Sequence, residues 1–125
     1  MAVIAATVAT VILAALAALQ VCVAAGAPWG RFVWGGRHRI LPRRLRVGSA
    51  ASVLFYAVFA GILLSRAGVL PRDSSPVVDV AAWVLFGYFT LGIVMNLASR
   101  SRAERWSMAP TCLVLACLTA VVAVS

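Results

Sequence analysis

AVIAATVATVILAALAALQVCVAA, residues 2–25, carries no charged side chain over 24 positions. That run decides the class of the fold. At about 1.5 Å per residue a helix of this length reaches about 36 Å, enough to cross a bilayer with some tilt. A cleaved signal peptide is the competing reading, because Ala25, Gly26 and Ala27 form an A-x-A pattern. Two features oppose it: no basic residue precedes the run, and the run far exceeds the roughly 7–15 residues of a signal core. The alanines at 14, 15, 17 and 18 give small faces on which another helix can pack closely. Gln20 is the strongly polar exception, near the end of the run.

The rest of the chain repeats the pattern. Of its 125 residues 64% are hydrophobic and 11% charged, against roughly 25% charged in a soluble domain. Further apolar spans are expected over residues 47–65, 77–98 and 106–125. The fold expected is therefore all-α: an integral membrane bundle of four transmembrane helices forming a single domain. No soluble domain is expected at either end. In the second span Gly48–Ser52 and Ala57–Gly61 are small-x-x-x-small pairs, and Tyr56 needs a partner for its hydroxyl. The third span is the most polar. Tyr88, Gly92 and Asn96 recur every four residues and share one face. Asp79 belongs to its first turn, where the helix dipole favours a carboxylate. Ser75 is a candidate cap, with Pro76 in first position. Ser101 and Glu104 fit a capping box ahead of the fourth span. A helix starting at Arg102 would meet Pro110 internally and kink; one starting near Ala109 would hold it harmlessly.

Charge sets the topology. The net charge is +8, and all eleven basic residues are arginine. Residues 26–46, GAPWGRFVWGGRHRILPRRLR, hold six of them, and residues 99–105, SRSRAER, hold three. The middle loop holds Arg66 and Arg72, with Asp73 beside the second. Nine against two places both basic loops in the cytoplasm and both termini outside. Arginines between apolar spans face anionic lipid rather than nucleic acid, so the expected partners are membrane lipids, with a homo-oligomer or another membrane protein as further possibilities and no nucleic acid. The richness in Ala, Val and Arg without Lys points to a GC-rich genome.

Little catalytic chemistry is written in the chain. Cys22, Cys112 and Cys117 lie in apolar runs without metal-ligand spacing. No residue is assigned as catalytic or metal-binding, and no cofactor is expected. Gly30 and the pair Gly35–Gly36 match no phosphate-binding motif and read as places where the loop turns tightly. His38 with Glu104 is the only plausible acid–base pair on the basic side. Trp29 and Trp34, with Phe32 between them, read as interfacial anchors. Gln20 would lie roughly 8 Å inside the cytoplasmic end, level with Ser49 and Asn96 and facing Glu104. Unpaired in lipid such groups are costly, so they should turn inward. The candidate binding residues are therefore Trp29, Trp34, Arg37, His38, Arg43 and Arg44 in the loop, with Gln20, Asn96 and Glu104 beneath it.

The stretch GAPWGRFVWGGRHRILPRRLRVGS, followed later by NLASRSRAERWSMAP, resembles a group of small bacterial four-span membrane proteins. The likeness covers most of the chain and is sharpest in the basic loop; it implies the four-span fold and a multi-pass place in a bacterial cell (inner) membrane, but no activity. Small multidrug exporters carry a glutamate in the first span, which is absent here. Fluoride channels of similar length have weak charge bias, unlike the nine to two found here. The function expected is that of a non-enzymatic accessory or lipid-binding protein acting through the basic loop. The alternatives are an oligomeric small transporter or channel, and a membrane enzyme acting on an anionic lipid.

Overall fold

The computed structural model describes residues 1–69 and 76–125. Four long helices account for most of them: α1 (Ala2–Ala24), α2 (Arg43–Arg66), α3 (Val77–Leu97) and α4 (Arg102–Val124). All four are long and apolar enough to cross a membrane. Their outward faces are large and apolar, with Leu54, Phe55, Val58, Val84, Leu91 and Met95 all exposed. Such continuous apolar exposure fits lipid as the surrounding medium. The proposed cap Ser75, and the pair Arg72 and Asp73, lie outside the described residues.

The helices alternate in direction. The 26–42 loop and the α3–α4 connection therefore meet at one end of the bundle, and the end of α2, the start of α3 and the end of α4 meet at the other. The closest packing joins α3 with α4 and α1 with α2, while α2 and α3 touch far less. The main core is built from Ala5, Ala6, Ala9, Leu13, Leu63, Leu85, Phe89, Leu115, Ala116 and Val122. The alanines that let α1 approach its neighbours are thus Ala5, Ala6 and Ala9. Ala14, Ala15 and Ala18, expected on a packing face, point outward.

Helix starts differ from the hydropathy reading because capping, not apolarity, sets them. α2 begins at Arg43, four residues before the apolar run. Pro42 is extended (ψ 163°), and its carbonyl accepts from the backbone N–H groups of Leu45 and Arg46. Arg43, Arg44 and Arg46 therefore lie in the first turn. α4 begins at Arg102, since Ser101 accepts a hydrogen bond from the Glu104 N–H at 3.3 Å. α4 continues unbroken through Pro110, which withholds one N–H from the ladder. The Thr111 hydroxyl turns back to the Ser107 carbonyl at 2.6 Å just beyond it.

Candidate functional site

The loop between α1 and α2 is folded, with an apolar core of its own. Val23, Val33 and Leu41 are buried together, with Leu19, Phe32 and Leu45 against them. Two single-turn 3₁₀ segments, Gly30–Phe32 and Trp34–Gly36, carry the chain across the bundle end. Gly30 makes the crossing close: its N–H donates to the Arg39 carbonyl at 2.9 Å, and a Cβ there would lie 2.0 Å from the His38 carbonyl oxygen. Trp34, Gly35 and Gly36 follow one another at positive φ (54°, 75° and 72°). Two glycines ease such a run; Trp34 adopts it at a cost of order 1–3 kcal/mol that its own contacts must offset.

Those contacts are specific. The Trp34 indole N–H donates to Ser49 Oγ at 2.9 Å, and Ser49 is fully buried in α2. The ring lies where Gly48 has no side chain, since a Cβ at Gly48 would come within 2.8 Å of it. The other basic loop joins the same layer. The Ser101 hydroxyl donates to the Arg31 carbonyl at 2.6 Å, and Gly36 lies close against the Ser101 side chain. Arg46 Nε donates to the Leu41 carbonyl at 3.1 Å, with its guanidinium next to Gly26. Arg46 thus fastens the loop's two ends together. The two basic segments form one lid.

Beneath the lid is a cavity of about 410 Å³. Gln20 from α1, Tyr56 from α2, Tyr88 and Asn96 from α3, Glu104 and Cys112 from α4 and Trp34 from the lid line it, among mostly apolar neighbours. Gln20 Nε2 is 3.5 Å from the Tyr56 hydroxyl, which supplies the partner that mid-span tyrosine needs. Asn96 Nδ2 donates to the Gly92 carbonyl at 2.8 Å and contacts Cys112 Sγ at 3.3 Å. Gly92 allows this, for a Cβ there would lie 3.1 Å from the same sulfur. Tyr88, Gly92 and Asn96, the four-spaced face of α3, all border the cavity.

Glu104 is 9% exposed. The capping box forms only in part: the Ser101 N–H is taken by Ser99 Oγ at 3.2 Å, and the Glu104 carboxyl faces the Gly35 N–H and the Ser99 hydroxyl. Among the described residues Arg66–Asp79 is the ion pair; Glu104 forms none.

The candidate residues thus divide. Gln20, Trp34, Asn96 and Glu104 converge on the cavity. Trp29, Arg37, Arg43 and Arg44 are exposed on the lid, and His38 is half-buried there; none of the five lines the cavity. Among the described residues no ion pair joins His38 to Glu104. Tyr56, Tyr88 and Cys112 belong to the lining without having been singled out for a site; their spacing against Gln20 and Asn96 across helices is invisible in one dimension. Among the described residues no three His, Cys, Asp or Glu gather to hold a metal ion, and the three cysteines are unpaired thiols.

Fold and site together define an all-helical, multi-pass membrane bundle with an arginine-rich lid over a partly polar cavity. No protein-family model, curated protein or solved structure matches the chain.

Proposed function

We propose that this protein is a non-enzymatic accessory protein of a bacterial inner membrane, which holds anionic lipid headgroups on its arginine-rich lid. In this reading both lid segments face the cytoplasm and both termini lie outside, as the distribution of arginines favours.

The observation that carries the reading is the charge of the lid. Arg31, Arg37, Arg39, Arg43, Arg44, Arg100 and Arg102 are exposed there, while the single acid at that end among the described residues, Glu104, is buried. Arg43 and Arg44 stand in the first turn of α2, which has no acidic residue. That is the positive end of the helix dipole, where a cation is disfavoured and an anion welcome. Phosphate oxygens at this level would relieve both the repulsion among arginines and the clash with the dipole, at about 1 kcal/mol per arginine near an anionic surface. Trp29, 46% exposed on the same lid, suits headgroup depth.

The test is lipid retention. Protein purified in detergent with phosphatidylglycerol and phosphatidylcholine at equal amounts should keep phosphatidylglycerol selectively in native mass spectrometry. An Arg43→Ala plus Arg44→Ala variant should lose that selectivity. Equal retention of the two lipids by the unaltered protein would sink the reading.

A further inference from the structure

We propose that the cavity under the lid binds the ammonium head of an amphiphile, with the alkyl chain leaving between α2 and α3. This site is separate from the arginine surface and does not depend on that surface holding lipid.

The polar end of the cavity offers acceptors in search of donors. Gln20 and Glu104 both line it, and each is 9% exposed. Each also carries a buried side-chain oxygen, Gln20 Oε1 and Glu104 Oε2, with no hydrogen-bond partner among the described residues. A buried polar atom without a partner costs about 1–3 kcal/mol, and more when charged. Both belong to residues that line the one cavity, so a ligand that donates would satisfy them. A primary ammonium supplies three N–H donors and a positive charge. The neighbourhood is otherwise rich in cations, yet Glu104 pairs with none of the described arginines. The fold leaves this carboxyl unpaired by the arginines of the rim, on a residue that lines the cavity.

The remainder of the lining suits a chain. Leu16, Leu19, Phe89, Met108 and Leu115 are apolar walls, and about 410 Å³ falls in the range of small-molecule sites. The lining residues Tyr88, Leu91 and Met95 are exposed and all stand on α3. They open the cavity along the flank where α2 and α3 pack loosely. Farther along the same flank Phe59 closes the gap against Tyr88 and Phe89, with ring centroids 5.3 and 6.0 Å apart. An alkyl chain entering there remains in hydrocarbon while its head reaches Glu104. Each buried CH₂ adds about 0.8 kcal/mol.

The experiment is equilibrium binding of tritiated dodecylamine to the full chain in phosphatidylcholine nanodiscs, with empty discs subtracted. Saturable binding is expected, with unlabelled dodecanoate of equal chain length a poor competitor. Glu104→Gln should weaken binding at least about tenfold, the usual consequence of removing one member of a buried charge pair. Leu91→Trp, which blocks the opening from an exposed position, should weaken it as well while leaving the melting temperature unchanged. Replacing part of the disc lipid with phosphatidylethanolamine identifies the source: displacement of dodecylamine assigns the site to a membrane aminolipid, and persistence assigns it to a free lipophilic amine. The proposal is overturned by absence of saturable binding, by equal affinity in a folded Glu104→Gln variant, or by dodecanoate displacing as well as dodecylamine.

Discussion

Trp34 is held to Ser49 by a 2.9 Å hydrogen bond, across a surface that Gly48 leaves bare for the indole ring. This fastens the lid to the bundle at a fully buried hydroxyl and stabilises a tryptophan at φ 54°. Ser49→Ala should lower stability by about 1 kcal/mol, the ordinary net worth of such a bond. It should also speed amide exchange across residues 30–41. Gly48→Leu should do more, because it fills the place of the ring. In a background where Trp29, Trp83 and Trp106 are phenylalanine, the emission of Trp34 should shift to the red. Unchanged emission would mean the ring is not seated there.

At the other end of the bundle Arg66 joins three helices. Its Nε lies 2.9 Å from Asp79 Oδ1, and its guanidinium donates to the Ala123 carbonyl at 3.3 Å and to the Ser125 carbonyl. Asp79 is in the first turn of α3, as expected for a carboxylate at a helix start; the partner from α2 could not be read in advance. The Asp79 side chain is 47% exposed, so the ion pair alone contributes at most about 1 kcal/mol. Arg66→Leu should therefore lower the melting temperature in detergent clearly more than Asp79→Asn, because it also strips donors from the end of α4. Equal losses would show that the carbonyl contacts add nothing.

How much could be read in the chain follows from which forces act locally. Four spans were legible because apolarity accumulates along contiguous residues, as in 2–25. The Ser101 cap was legible too, since donor and acceptor are three residues apart. The true starts of α2 and α4 were less so: arginines lower the hydropathy of a first turn without preventing the helix, once Pro42 or Ser101 has fixed the entry. Gln20, Asn96 and Glu104 could be placed at one depth by counting residues, but not joined by any bond. The role of Trp34 was hidden for a related reason. A tryptophan at a membrane interface and a tryptophan latched to a buried serine look alike in sequence; the clue was Gly48 beside Ser49, and Gly48 reads equally well as half of a helix-packing pair with Ser52.

Orientation is open to a direct check. In a background with Cys22, Cys112 and Cys117 replaced by serine, Arg39→Cys and Val69→Cys each put a single thiol on an exposed position at opposite ends. A membrane-impermeant maleimide added to intact cells should label Val69→Cys at once. Arg39→Cys should react only after the membrane is opened. The reverse pattern would put the lid outside and remove its access to cytoplasmic-leaflet lipid.

The contact between the two lid segments can be isolated through Ser101. Its hydroxyl caps α4 by accepting from the Glu104 N–H and donates to the Arg31 carbonyl. Ser101→Ala should cost about 0.5–2 kcal/mol from the cap alone. Gly36→Ala should be costly for two reasons: φ there is 72°, and the new methyl would fall 2.3 Å from Ser101 Cβ. Only the second depends on the neighbouring loop. Ser101→Gly removes that Cβ, so Gly36→Ala made in the Ser101→Gly background should destabilise less than it does in the original chain, leaving the backbone strain behind. Thermal unfolding of the four proteins gives the coupling directly. Strictly additive losses would mean that residues 26–46 and 99–105 do not form one lid in the membrane.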